Sequence, residues 1–293
     1  MQVYLIDVHK LGKTVFNTPG TKDKGKYTTL KIVLEDPNIE KVFFDVRNDS
    51  DALYAHFSVH LSGIQDIQLH QFVTRPRKGR FLSGLGKCID HDAGLSFTKR
   101  VKSADIKEKG KRLFPPELGG PYEVFNVRPM SEDIVRYCAQ DVQILPRLWA
   151  VYNRRGIGAA MKRKVADAVW ERIDVCLEVG YTGKGRDRAL GQRIFCMRFD
   201  KHAVEDTTDD SEGEAQNDEC RNAPESTTLS FRIAYDSPKS GDDDEETIGD
   251  WLGQSTKDIQ SAHRFGDIHS RAAGMGGVGS TRVWVHSLLC SFR

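Results

Sequence analysis

Tyr137 and Asp141 stand four residues apart in the segment YCAQD, a spacing that puts both on one face of a helix about one turn apart. A carboxylate so placed can hold a hard cation through oxygen, while the phenol one turn earlier can orient a water molecule. The same spacing also suits a half-buried tyrosine bonded to a surface aspartate, and spacing alone favours that plainer use. A second group follows the apolar run of KVFFDVRNDSDAL, where Asp45, Asp49 and Asp51 crowd the entry to a helix. Functional carboxylates gather at strand ends in α/β sheets. Helix capping by Asn48, Asp49 or Ser50, with Asp51 complementing the dipole, accounts for one or two of these acids and less easily for all three.

The elements that must position these residues alternate between strand and helix. Val3–Ile6 and Lys41–Phe44 read as short buried strands, and Ile64–Leu69 as a further strand with Asp66 inside it. Thr28–Leu34, Asp49–Phe57 and Leu82–Ile89 read as helices. The stretch from Ser96 to Arg128 holds Pro115-Pro116 and Gly119-Gly120 among its lysines and predicts an irregular insertion. Ser131 caps the clearest helix, with Glu132 and Asp133 in its first turn, helical apolar spacing to Tyr152, and Pro146 expected to kink it. A second amphipathic helix with a basic face spans about Ala159–Val179. The alternation predicts an α/β layered fold.

Charge divides the chain of 293 residues more sharply than its net of +1 suggests. Residues 1–198 carry 34 basic and 23 acidic residues, a net of +11, whereas residues 199–250 carry 4 and 17, a net of −13. The acidic segment lacks periodicity and has few apolar residues, which predicts disorder. The basic clusters are Arg75-Pro76-Arg77-Lys78-Gly79-Arg80 and Lys99–Arg112, suited to phosphate contacts that are independent of sequence and sensitive to salt. No stretch approaches the roughly 18 apolar residues of a membrane span, and no signal peptide or membrane partner is expected. Six cysteines without a CxxC pair argue against a disulfide scaffold or zinc knuckle, and for an intracellular protein of nucleus or cytoplasm.

In order along the chain, KVFFDVRNDSDAL, GIQDIQL and YCAQDVQILPRLWAVY resemble the 3′–5′ exonuclease domain of the ribonuclease D type, in the tyrosine-containing subgroup of the DEDD superfamily. The resemblance covers about residues 3–155, and residues to about 195 are similar to an extension found in fungal-type members. It implies a ribonuclease H-like mixed sheet flanked by helices, with two Mg²⁺ or Mn²⁺ ions held by acids and a single-stranded nucleic-acid 3′ end as partner. It assigns Asp49 and Asp141 as metal ligands and Tyr137 as the residue orienting the attacking water, with Asp66 supporting the site. Arg75, Arg77, Lys78 and Arg80 are the expected nucleic-acid contacts. Asp45 and Asp51 match no catalytic position.

The family's first motif, Asp-x-Glu on a strand, is expected some twenty residues before Val3, outside this sequence. The expectation is therefore an N-terminally incomplete exonuclease-like domain over 1–155 with an open sheet edge, a helical extension over 156–198 and a largely disordered acidic tail over 199–293. Hydrolysis is expected to be impaired. The alternative is a catalytically inactive remnant that binds nucleic acid or a protein.

Overall fold

The computed structural model describes residues 2–20, 29–76, 79–178, 180–181, 186–191, 231–235, 260–261 and 282–287. The chain opens with strand β1 (Gln2–Ile6), short helices α1 (Val8–Leu11) and α2 (Thr14–Asn17), and α3 (Leu30–Glu35). Strand β2 (Glu40–Phe43) leads into α4 (Arg47–Phe57), and β3 (Ile64–Asp66) leads directly into α5 (Ile67–Thr74). Helices α6 (Leu85–Asp92), α7 (Phe97–Lys111), α8 (Glu132–Arg155) and α9 (Ala159–Leu177) follow, and then strands β4 (Phe231–Tyr235), β5 (Gln260–Ser261) and β6 (Arg282–Ser287).

Two elements differ from the sequence reading. The strand expected over Ile64–Leu69 ends at Asp66, because the Asp66 carboxylate accepts the Gln68 N–H at 2.9 Å and so starts a helix. The irregular insertion expected after Ser96 begins instead with the fifteen-residue helix α7, capped by the Ser96 hydroxyl. Its charged positions pair one turn apart, Lys109 with Asp105 and Arg112 with Glu108, a local stabilisation that no apolar stripe reveals. Helix α8 runs on through Pro146.

The described strands form one sheet in the order β3-β2-β6-β4-β1-β5. Strand β2 is parallel to β3 and to β6, while β4 is antiparallel to β6 and to β1. Strand β1 is paired on both sides, by β4 and β5, so among the described residues the open edges fall on β3 and β5 rather than at the first strand. Strands β4 and β6, from the segment read as a disordered tail, occupy the centre of the sheet between β1 and β2; most of that segment lies outside the described residues. Strand β6 alternates as a central strand must. Trp284 is buried on one face with Val3, Val42, Leu145 and Tyr152, and Val285 on the other with Tyr4, Phe43, Leu53 and Val169. Helices α3, α4 and α9 cover the Val285 face, and α6 and α8 cover the Trp284 face. Among the described residues, no helix is long and apolar enough to cross a membrane.

Lys41, in β2, is fully buried and its ammonium donates to the Asp36 carbonyl. Burial pushes it down to about 8, from an ordinary value of 10.5.

Two expectations follow from this packing. A chain ending after residue 198 loses both central strands and with them the burial of Trp284 and Val285, so it will lack the cooperative urea transition of the full chain. A truncated chain with an unchanged midpoint would show that β4 and β6 are dispensable. The folded state releases the Lys41 proton near pH 8, whereas the unfolded chain keeps it to about 10. Lys41 therefore adds to stability between pH 8 and 9, while Cys88 and Cys176, pushed up to about 11 by burial from an ordinary 9.0, subtract from it as the unfolded chain's thiols ionise over the same range. Between pH 8 and pH 9 the urea midpoint of the wild type should rise relative to that of Lys41→Met, and an unchanged difference would remove Lys41 from the account.

Candidate nuclease site

Helix α8 carries Tyr137 and Asp141 one turn apart, and both are buried. Ser131 caps the helix through its hydroxyl, Glu132 and Asp133 occupy the first turn, and Arg154 and Arg155 the last, which suits the helix dipole at both ends. The Tyr137 ring lies in a small apolar cluster with Phe114, Phe125, Ile134 and Cys138, its centroid 5.4 Å from that of Phe114.

Helix α7 closes over this pair. A Cβ at Gly110 would fall 2.5 Å from the Cβ of Tyr137, so only glycine lets the two helices approach this closely. The Gln140 amide donates to the Ser103 carbonyl at 3.1 Å and to its hydroxyl at 2.8 Å. The Lys107 ammonium lies 3.9 Å from the Asp141 carboxylate, a long ion pair on a carboxylate withdrawn from solvent.

Asp49 sits in the first turn of α4, just past the end of β2, and is also buried. The turn leading to it is held from across the sheet. Asp45 adopts the left-handed conformation at φ 62, and the fully buried Asp66 carboxylate accepts the N–H groups of Asp45 and Val46, each at 3.1 Å. Arg172 of α9 donates to the same carboxylate at 2.6 Å and to the Gln68 side chain at 3.0 Å. Arg47 grips Asp45 through two hydrogen bonds of 2.7 and 2.6 Å and also donates to the Arg188 carbonyl. Burial alone would raise the Asp45 carboxyl, but the Arg47 hydrogen bonds and the Arg172 charge hold it below its ordinary value. Asp66 is thus wholly engaged in fixing the turn that carries Asp49.

Tyr137 and Asp141 share one helix face, and Asp66 is tied to the turn before Asp49. Helices α4 and α8 cover opposite faces of the sheet. Among the described residues, no three His, Cys, Asp or Glu side chains gather in a group able to hold a metal ion. Such a donor set does not fit a pair of divalent ions.

Of the expected nucleic-acid contacts, Arg77 and Lys78 lie outside the described residues. Arg75 is turned inward: its guanidinium lies 4.4 Å from the centre of the Phe72 ring and donates to the carbonyls of Gly79 and Phe81. Arg80 is exposed. Sequence reasoning missed Arg172, Arg47 and Lys107. Only Arg47, beside Asp45, stood within reach of a spacing argument; Arg172 is 106 residues from Asp66.

A family described as 3′–5′ exonuclease matches residues 2–154, more than half of the chain. The chain belongs to the 3′–5′ exonuclease family. The matched segment of this exonuclease ends at α8, so α9, with Arg172, and strands β4 to β6 all lie beyond it. Two structures of ribonuclease D from Trypanosoma brucei, one in complex with RNA U12 and one with GMP, resemble the fold. The first has 20% identity and a TM-score of 0.48 over 65% of this chain and 58% of that one. The second has 20% identity and a TM-score of 0.45 over 66% and 54%. The chain thus spans less than two thirds of the length of either. No curated protein matches it.

Arg172→Met would leave the buried Asp66 carboxylate without its guanidinium. Breaking a buried pair in this way costs about 3–5 kcal/mol, so the urea midpoint should fall sharply. The double variant with Asp66→Asn should recover part of the loss. Equal midpoints for wild type and Arg172→Met would remove the latch from the account of this fold.

Proposed function

We propose that this member of the 3′–5′ exonuclease family, of the ribonuclease D type, engages the 3′ end of single-stranded nucleic acid but hydrolyses it poorly. The supporting observation is the donor set at the family's site. Divalent-metal dependence is general in the family. In this chain Asp49 and Asp141 have no third acid gathered with them among the described residues, and Asp66 is spent on Arg172 and three backbone N–H groups. Strand β6 lies parallel to β2 at the centre of the sheet, where a carboxylate would be most useful, and it reads Arg282-Val283-Trp284-Val285-His286-Ser287 without one.

Mg²⁺ or Mn²⁺, where bound, would activate water and stabilise the leaving oxygen. The residues present do less. Tyr137 and Asp141 offer a phenol and a carboxylate on one buried face, and Lys107 already supplies Asp141 with a positive charge. An ammonium there partly offsets the carboxylate's demand for a cation, and its removal would leave that demand unmet. The net charge of +11 on residues 1–198 supports phosphate binding without sequence preference. Cys88, Cys138 and Cys176 are buried and form no disulfide among the described residues, which supports an intracellular location.

The second reading, a silent binding domain, is favoured by the same shortage of carboxylates. Digestion of a 5′-labelled single-stranded RNA or DNA in Mn²⁺ separates the two. A slow 3′–5′ ladder that vanishes in Asp141→Ala is expected, at least about 10²–10³-fold weaker than for a family member with a full ligand set. Fast digestion that vanishes in the variant would show that another acid completes the site. Binding without any ladder would leave the silent domain as the answer.

A further inference from the structure

Helix α9 lies beyond the segment that matches the family, and its two sides are unlike. The inner side is buried, with Val165, Val169 and Ile173 in the core and Arg172 turned to Asp66. On the outer side Trp170 is 48% exposed and Leu177 36%. They stand two turns apart on one line of the helix, and the exposed Ala166 continues that line one turn towards the N-terminus. Single apolar residues on a surface need no explanation, but these are aligned and include a tryptophan.

Acids run beside the line. Asp167, Glu171, Asp174 and Glu178 are all exposed, and each stands three or four residues from the next. They form a ridge of like charge about 100° round the helix from the apolar line. From Ala166 to Glu178 the one cation is Arg172, which is buried against Asp66. Arg163 and Lys164 stand within one turn of Asp167 but not of the three acids after it. This pattern does nothing for the helix itself. Like charges one turn apart repel, and Asp174 lies in the last turn with Glu178 as the C-cap, where the dipole favours cations. Helix α8 places its charges the other way round. A cation brought from outside relieves both the repulsion and the mismatch with the dipole.

We propose that the outer face of α9 is a docking surface for a basic amphipathic helix of a protein partner. The partner's apolar side covers Trp170 and Leu177, and its lysines or arginines meet the acids alongside. Charge decides between the possible occupants. Nucleic acid would bring phosphates against four carboxylates, and a second copy of this face would set acid against acid. Phosphate is drawn instead to the rest of a body that carries a net of +11. The surface therefore stands independently of the nuclease reading, on the back of the helix that holds Asp66.

The test is fluorescence anisotropy of a labelled helical peptide of leucine and lysine, with leucines at every third and fourth position, titrated with the full chain. Trp170→Ala should weaken binding at least about tenfold. Asp174→Asn with Glu178→Gln should weaken it too and flatten its dependence on salt. Both variants change exposed side chains, so unchanged urea midpoints confirm the fold. A scrambled peptide of the same composition should bind the wild type no better than the ordered one binds Trp170→Ala. A peptide with glutamate in place of lysine should not bind. Equal binding to wild type and Trp170→Ala, or none to the wild type at low salt, overturns the surface and leaves the exonuclease reading untouched. A scrambled or glutamate peptide that binds as tightly as the ordered lysine peptide overturns it as well. A wild type that sediments as a dimer beside a monomeric Trp170→Ala overturns the basic partner and assigns the face to a second copy.

Discussion

The Asp66 carboxylate is the constraint on which the half of this fold that carries Asp49 depends. One fully buried side chain ends β3, caps α5, holds the two backbone N–H groups of the β2–α4 turn and accepts a 2.6 Å bond from Arg172. A buried charge is tolerable only when its lone pairs are satisfied and a counter-charge is close, and here both conditions are met by groups from the β2–α4 turn, α5 and α9. Any one of them lost leaves the others around an uncompensated carboxylate. The β2–α4 turn, with Asp45 in the left-handed region, is consequently fixed by long-range contacts rather than by its own sequence.

This arrangement gives α9 a part in the site although it lies outside the segment that matches the family. Arg172 sets Asp66, Asp66 sets the turn, and the turn sets where α4 begins and hence where Asp49 stands. The opposite face of the sheet works differently. There α7 and α8 are brought together by the absence of a side chain at Gly110 and by the hydrogen bonds from Gln140 to Ser103. A rigid ionic latch positions one carboxylate, and close helix packing with a distant ammonium positions the other.

Much of this was legible in the sequence because it is local. The i, i+4 pairing of Tyr137 and Asp141, the Ser131 cap and the apolar run of β2 depend on neighbours a few residues away. The acids after β2 were visible too, and Asp45, assigned to no catalytic role, is occupied by Arg47. What escaped is non-local or cancels in the pattern. Ile64, Ile67 and Leu69 fit a strand as well as a short helix, and only the side-chain bond from Asp66 to Gln68 decides between them. Helix α7 hides its amphipathicity because its outer face mixes Phe97 and Val101 with paired charges. Arg172 reads as one more cation on a basic helix, and nothing in its spacing marks a partner in β3.

The central strands carry the same lesson into function. Strands β4 and β6 come from a region whose composition predicts no ordered structure, yet their pairing registers run through the middle of the sheet. Six residues with a tryptophan and two valines suffice for β6, because each face of the strand meets a core already built by the N-terminal body. Burial there selects apolar side chains at Trp284 and Val285, so the strand meets the demands of packing without contributing an acid. Completing a sheet requires only shape and hydrogen-bonding edges, whereas completing a metal site requires particular oxygens at particular points. A segment recruited by the first requirement has no reason to satisfy the second.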